Sequence, residues 1–173
     1  MWVFGYGSLM WDGWEKQFNC LQRQLAHLHG YRRSFSKASV KNWGSPAHPG
    51  PTLNIETKAQ AICTGIAFEF PPEQCNDVSP YLAQREGKGF SLTKVPVTIE
   101  GGQAVTALVP IYKGPNIVEA TSVTDLARLV VAAKGTSGTC RNYVHGIQLE
   151  LDKLGISDPA VSDTWNAVLL LEQ

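Results

Sequence analysis

Two places in this chain carry residues suited to chemistry: a glycine-flanked turn near the N-terminus and a glutamate that follows an arginine near the middle. In Phe4-Gly5-Tyr6-Gly7-Ser8-Leu9-Met10 a short apolar strand runs into two closely spaced glycines and a serine. Glycine lets a ligand approach the main chain, and successive N–H groups exposed in such a turn form a concave anion site that suits a carboxylate as well as a phosphate. The same spacing is also that of an ordinary turn after a strand. Ser8 directly follows Gly7, so the G-x-S-x-G hydrolase elbow is absent. Neither a P-loop nor the third glycine of the dinucleotide fingerprint is present. In Tyr81-Leu82-Ala83-Gln84-Arg85-Glu86-Gly87-Lys88-Gly89-Phe90 a carboxylate stands where a helix or turn gives way to a strand, and catalytic groups are common at such ends. Taken alone, Glu86 also reads as a solvated acid paired with Lys88.

The remaining reactive residue types point nowhere on their own. His27 and His29 share one face of a predicted strand, but no acid or cysteine stands at a matching spacing, and two ligands do not make a zinc site. No metal is expected. Arg32-Arg33 reads either as a basic surface pair or as an anchor for a carboxylate, and Tyr143 falls on a helix face. The four cysteines, Cys20, Cys63, Cys75 and Cys140, are scattered without a C-x-x-C pair. They read as reduced thiols of a cytosolic protein. Lys plus Arg and Asp plus Glu number 15 each, so charge gives no reason to expect a nucleic acid or an anionic membrane as partner. The first residues lack the basic start and apolar run of a signal peptide, and no stretch approaches the ~20 apolar residues of a membrane span. The expected location is the cytoplasm.

The elements that must position these residues fall into two groups, strands first and helices after. Trp2 to Phe4 is a short strand, and Gln24 to Val40 predicts two strands with a bend at Gly30-Tyr31. Lys41 to Pro51, rich in glycine and proline, is a loop. Thr52 to Glu56 and Ala61 to Phe70 predict two further strands. Pro71-Pro72 opens a helix towards Arg85-Glu86. Phe90 to Ile99 and Ala104 to Tyr112 flank the hairpin turn Gly101-Gly102. Three helices follow: one from the capping box Ser122 to Asp125 with a stripe of Val123, Leu126, Ala127 and Val130; one carrying Val144, Ile147, Leu151 and Leu154, stopped by Gly155; and one from Asp158-Pro159 with Val161, Trp165, Val168 and Leu169 on one face. Strands followed by helices argue for an α+β fold with a mixed or antiparallel sheet. The length of 173 residues fits a single domain spanning 1–173.

Taken in order, these segments resemble one family, the ChaC-type γ-glutamylcyclotransferases. Phe4 to Trp11 is similar to its N-terminal signature, with Tyr6 to Leu9 as the Y-G-S-L core. Gly30-Tyr31-Arg32-Arg33-x-Phe35 resembles the next block, and Gly44-Ser45-Pro46-Ala47-His48-Pro49-Gly50 the G-[ST]-P-x-x-P-G loop. Arg85-Glu86-x-x-Gly89-Phe90 resembles the R-E-x-x-G-[YF] block that carries the catalytic glutamate. Gly135 to Gly138 with Arg141 to Val144 resembles the late S-G-x-x-x-x-Y block. The likeness runs from Phe4 to about Leu154.

The resemblance implies a small mixed β-barrel with helices packed around it, Glu86 as the catalytic acid and base, and Tyr6, Gly7, Ser8, Leu9 and Tyr143 as substrate-binding residues. It implies an intramolecular reaction that needs no cofactor: the α-amine of a γ-glutamyl group attacks its own γ-carbonyl, releasing 5-oxoproline. The small-molecule partner it implies is glutathione, with Cys-Gly as the second product. γ-Glutamyl amino acids or γ-glutamylamines are the alternative substrates. A ligand-binding module without activity is the alternative of another kind, and an intact Glu86 argues against it.

Overall fold

In Phe90–Ile99 the buried side chains Val95, Val97 and Ile99 recur at every second position, as do Ala107, Val109 and Ile111 in Ala104–Tyr112, where Pro110 and Tyr112 are buried as well. This is the period of a strand with one face in a core, and the two segments pair antiparallel from Phe90 opposite Tyr112 to Thr98 opposite Ala104. The computed structural model, which describes all residues 1–173, contains this hairpin within a larger sheet. The strands are β1 (Trp2–Gly5), β2 (Gln22–Ser39), β3 (Gly50–Glu69), β4 (Phe90–Ile99) and β5 (Ala104–Tyr112), with α1 (Cys75–Glu86) between β3 and β4. They form a closed barrel in the order β1-β3-β2-β4-β5. Pairing is antiparallel at β1–β3, β2–β4 and β4–β5; the parallel pair β1–β5, with Trp2 opposite Ala107 and Val3 opposite Leu108, closes the ring. After β5 come α2 (Val123–Ala132), the two-residue strands β6 (Lys134–Gly135) and β7 (Gly138–Thr139), α3 (Cys140–Lys153) and α4 (Pro159–Leu171).

The architecture is thus the α+β fold with a mixed barrel that the resemblance implies. Two readings of the strands change. Gln24 to Val40 is not two strands but the single 18-residue β2, because Gly30, with φ of +78°, takes the bend without ending the element. The pair predicted at Thr52 to Glu56 and Ala61 to Phe70 is likewise one 20-residue strand, β3, which continues through Gln60 at φ of +64°.

The chain divides into two compact units: Met1–Arg32 with Ile55–Pro115, and Arg33–Asn54 with Asn116–Gln173. The first is centred on the fully buried Phe4, Trp14, Leu28, Phe68, Phe70 and Leu82. In the second, α2, α3 and α4 pack on one another through buried Val130, Val144, Ile147, Leu151, Val161 and Val168. Each of these helices begins where a side-chain oxygen accepts an otherwise unmatched N–H. Ser122 accepts from Asp125, Thr139 from Asn142 and Asp158 from Ala160. Of the predicted stripes, Val130, Val144, Ile147, Leu151, Val161 and Val168 are buried, while Val123 and Leu169 are exposed. Arg33 is buried in the second unit, where its Nη1 donates to Asp158 Oδ2 at 2.9 Å. No helix is long and apolar enough to cross a membrane.

None of the cysteines forms a disulfide: Cys63 and Cys140 are buried, Cys20 and Cys75 half-buried. Burial pushes the Cys140 thiol up to about 12, so it carries almost no thiolate at neutral pH, and the thiolate is the reactive form. We expect a thiol reagent to label Cys20 and Cys75 in the folded protein and all four cysteines after denaturation. Peptide mapping of the labelled sites checks this; rapid labelling of Cys140 in the folded chain would contradict it.

Candidate active site

Glu86 is the last residue of α1, and the reason is local. Gly87 adopts φ of +79° with ψ of −168°, a backbone conformation open to glycine and closed to most other residues, which ends the helix, and its N–H returns to the Ala83 carbonyl at 3.1 Å. α1 packs through buried Val78 and Leu82, which leaves Glu86 at the rim with its side chain 18% exposed. A carboxylate placed there is partly shielded from water yet reachable.

The turn Tyr6 to Leu9 lies in the same unit, directly after β1. Ser8–Met10 forms one turn of 3-10 helix, in which Met10 N–H donates to Gly7 O at 2.9 Å. The first N–H groups of any such turn have no partner within it, so the amides around Gly7 and Ser8 are donors that the turn itself does not use. The surroundings hold the turn from several directions. Tyr6 Oη donates to Pro110 O at 2.7 Å, Trp14 Nε1 to Leu9 O at 3.0 Å and Arg23 Nη2 to Met10 O at 2.8 Å. Trp14 is itself fixed in an aromatic cluster, edge-on to Phe68 and stacked on Tyr81 of α1. A turn pinned through its own carbonyls loses little further freedom when a ligand settles on its amides, which favours binding.

Arg85 joins the turn to the helix end. Its Nη2 donates to Ser8 Oγ at 3.2 Å and to the Asp12 carboxylate. Its Nη1 donates to Tyr81 Oη at 3.5 Å, and its Nε lies 3.8 Å from Glu86 Oε1. Burial alone would lower the pKa of this guanidinium, but its hydrogen bonds to Asp12 and Tyr81 and the charges of Asp12 and Glu86 outweigh that and hold it above the ordinary arginine value.

Glu86, Tyr6, Gly7, Ser8 and Leu9 therefore all lie in the first unit, the helix end and the turn linked by one guanidinium. Tyr143 lies in the second unit, on α3, where its Oη accepts the Leu53 N–H at 3.1 Å and its ring packs on Trp43 with centroids 5.1 Å apart. His27, which lies on a strand, is hydrogen-bonded with Thr64, and no group of three or more His, Cys, Asp or Glu is arranged to hold a metal ion. Sequence reasoning singled out Glu86 and the turn but passed over Asp12, Trp14 and Arg23, for which no local motif exists. Arg85 was visible only as the neighbour of Glu86.

The closed barrel with its four helices is the γ-glutamylcyclotransferase-like fold. A crystal structure of the γ-glutamyl cyclotransferase specific to glutathione from yeast superposes with a TM-score of 0.85 at 21% identity, over 100% of this chain and 99% of that one. The chain belongs to the ChaC-like protein family, whose model matches residues 1–170. Among its relatives, γ-glutamylcyclotransferase 2-3 of Arabidopsis thaliana is 31% identical over 97% of this chain and 88% of that protein. The glutathione-specific γ-glutamylcyclotransferase of Escherichia coli is 31% identical over 94% of this chain and 70% of its own length.

Proposed function

We infer that this chain is a γ-glutamylcyclotransferase that converts glutathione to 5-oxoproline and Cys-Gly. Support for the activity and substrate comes from membership of the ChaC-like family together with the curated relatives named for glutathione. The single structural observation behind the site is the common attachment of the turn and of Glu86 to Arg85.

In this reading the amides around Gly7 and Ser8 receive the α-carboxylate of the γ-glutamyl group. That contact curls the substrate so that its α-amine faces its own γ-carbonyl, and holding the ends of a ring-closing reaction together removes much of its entropic barrier. The α-amine is largely protonated at neutral pH. Glu86 accepts its proton, the freed lone pair forms the new C–N bond at the γ-carbon, and the lactam closes. The old C–N bond breaks as Glu86 returns that proton to the departing nitrogen of Cys-Gly, and the second proton, which the new ring nitrogen sheds to become the lactam N–H, passes through the same carboxylate to the released amine, an ammonium at neutral pH. One carboxylate within reach of both nitrogens serves each transfer in turn. No electrons or phosphoryl groups move, so the chemistry asks for no cofactor. Tyr143 is assigned to substrate binding by the family resemblance alone. A reducing, cytoplasmic compartment suits four cysteines without a disulfide.

Two substitutions test the turn. Gly7→Val puts a branched side chain where the ligand must approach the backbone; we expect KM for glutathione to rise by about tenfold or more, the value of roughly one charge-assisted hydrogen bond. Ser8→Ala keeps the amide and should do less. A covalent adduct on wild-type Ser8, with Ser8→Ala fully inactive, would make Ser8 a nucleophile and overturn this assignment. Comparing 5-oxoproline release from glutathione, a γ-glutamyl amino acid and a γ-glutamylamine tests the substrate: glutathione should give the highest kcat/KM, and a clear preference for either alternative would replace it.

A further inference from the structure

The guanidinium of Arg85 has partners on both parts of the proposed site. Ser8 and Asp12 lie on the side of the turn, Tyr81 and Glu86 on α1. A guanidinium is planar and its donors point in fixed directions. Contacts on both sides, hydrogen bonds to Ser8, Asp12 and Tyr81 and an ion-pair approach of 3.8 Å to Glu86, therefore restrict the spacing between the groups it touches, whereas a flexible ammonium would tolerate a range.

Magnitudes indicate what this cluster is for. The side chains of Arg85 and Asp12 are 23% and 30% exposed, and ion pairs that water still reaches add little to stability. The turn has other anchors that do not involve Arg85, at Pro110, Trp14 and Arg23. Folding thus gains little from the cluster. Catalysis is far more sensitive, since a displacement of about 1 Å between a bound group and its catalytic partner can cost roughly 10²-fold in rate.

The geometry points to Arg85 as a positioning residue that, itself oriented by Asp12, holds the Tyr6 to Leu9 turn at the working distance from the Glu86 carboxylate. This rests on the reading of the site given under Proposed function. Arg85 acts through the turn and through Glu86 and bonds no substrate atom. Asp12 fixes which way the guanidinium faces, 73 residues away in sequence.

The test is a kinetic and thermal comparison of Arg85→Ala, Arg85→Lys, Asp12→Asn and the double variant with wild type and Glu86→Gln, using glutathione. For Arg85→Ala we expect a folded protein with Tm lowered by no more than about 4 °C, kcat reduced about 10- to 100-fold and KM changed by a smaller factor. Arg85→Lys retains the charge without the fork and should recover less than about tenfold of that loss. Asp12→Asn should reduce kcat in the same sense, and the double variant should be no worse than Arg85→Ala, because Asp12 works through Arg85. Folded Arg85→Ala with kcat within about threefold of wild type overturns the inference, since that is far below the effect of misplacement. So does a double variant whose losses multiply, or an effect confined to KM, which would make Arg85 a direct ligand of the substrate. Should Arg85→Ala fail to fold, a folded Asp12→Asn protein with wild-type kcat overturns it. An active wild type and inactive Glu86→Gln beside an unaffected Arg85→Ala remove the positioning role alone. A wild type without 5-oxoproline release, or a folded Glu86→Gln at the wild-type rate, removes the site reading and this inference with it.

Discussion

Glu86→Gln is expected to leave the protein folded and to lower turnover of glutathione by at least about 10²-fold, towards 10⁴-fold if one carboxylate serves both proton transfers. Glutamine has the size of glutamate and much of its hydrogen-bonding capacity but accepts no proton at neutral pH. The α-ammonium of the substrate then has no base in reach, and the departing amine has no acid. The fold should tolerate the change because Glu86 stands at the end of α1, at the rim, with its buried neighbours Val78 and Leu82 untouched. KM should rise only moderately, since the α-carboxylate is assigned to the turn; the loss of a negative charge near the ammonium accounts for the remainder. Circular dichroism and thermal unfolding check the fold, and the rate of 5-oxoproline release at saturating glutathione checks the chemistry. A folded variant within about threefold of the wild-type rate removes Glu86 as general base.

The second large effect is one of stability and lies away from the chemistry. Arg33 has a side chain with no exposure and Asp158 one of 11%. Asp158 Oδ2 accepts from Arg33 Nη1 at 2.9 Å, and Asp158 Oδ1 accepts the Ala160 N–H at 3.1 Å at the start of α4. Asp158→Ala leaves a buried cation without this counter-charge and α4 without its cap. Breaking one side of a buried pair costs about 3–5 kcal/mol, and a lost cap adds about 1 kcal/mol. For a chain of this size a loss of about 4 kcal/mol, the lower end of that sum, lowers Tm by roughly 8–16 °C. Asp158→Asn, which keeps the shape and the oxygen that caps the helix but not the charge, should fall between the alanine variant and wild type. Thermal unfolding followed by circular dichroism measures both, and a Tm for Asp158→Ala within about 2 °C of wild type contradicts the account.

What could be read from the sequence was local, and what could not was distant. The β4–β5 hairpin was legible because alternating apolar residues flank a glycine pair, and the helix starts were legible because Ser122 and Asp158 stand where caps belong. β2 reads as two strands because Gly30 looks from sequence like an end and serves in the barrel as a bend; β3 reads as two because Thr57 to Gln60, exposed throughout, carries no apolar alternation to join the flanking strands. The closing parallel pair β1–β5 joins segments about a hundred residues apart, so no pattern within either strand announces it. The same holds for the contacts that fix the site: Tyr6 to Pro110 spans 104 residues, Arg85 to Asp12 spans 73, and Arg33 to Asp158 spans 125. Glu86 and the Tyr6 to Leu9 turn were legible through the resemblance of their short motifs, while the groups that orient them carry no motif.

The central claim is that this chain cyclises the γ-glutamyl group of glutathione, and the most direct measurement is of the products. The purified protein is incubated with glutathione in the presence of a metal chelator, beside the Glu86→Gln variant, and 5-oxoproline and Cys-Gly are quantified over time. Both products should appear at equal rates with wild type, and the variant should release them at least about 10²-fold more slowly. Formation of glutamate in place of 5-oxoproline would mean attack by water and not by the α-amine, and unchanged glutathione with the folded wild-type protein would mean that the chain does not carry out this reaction; either result contradicts the account.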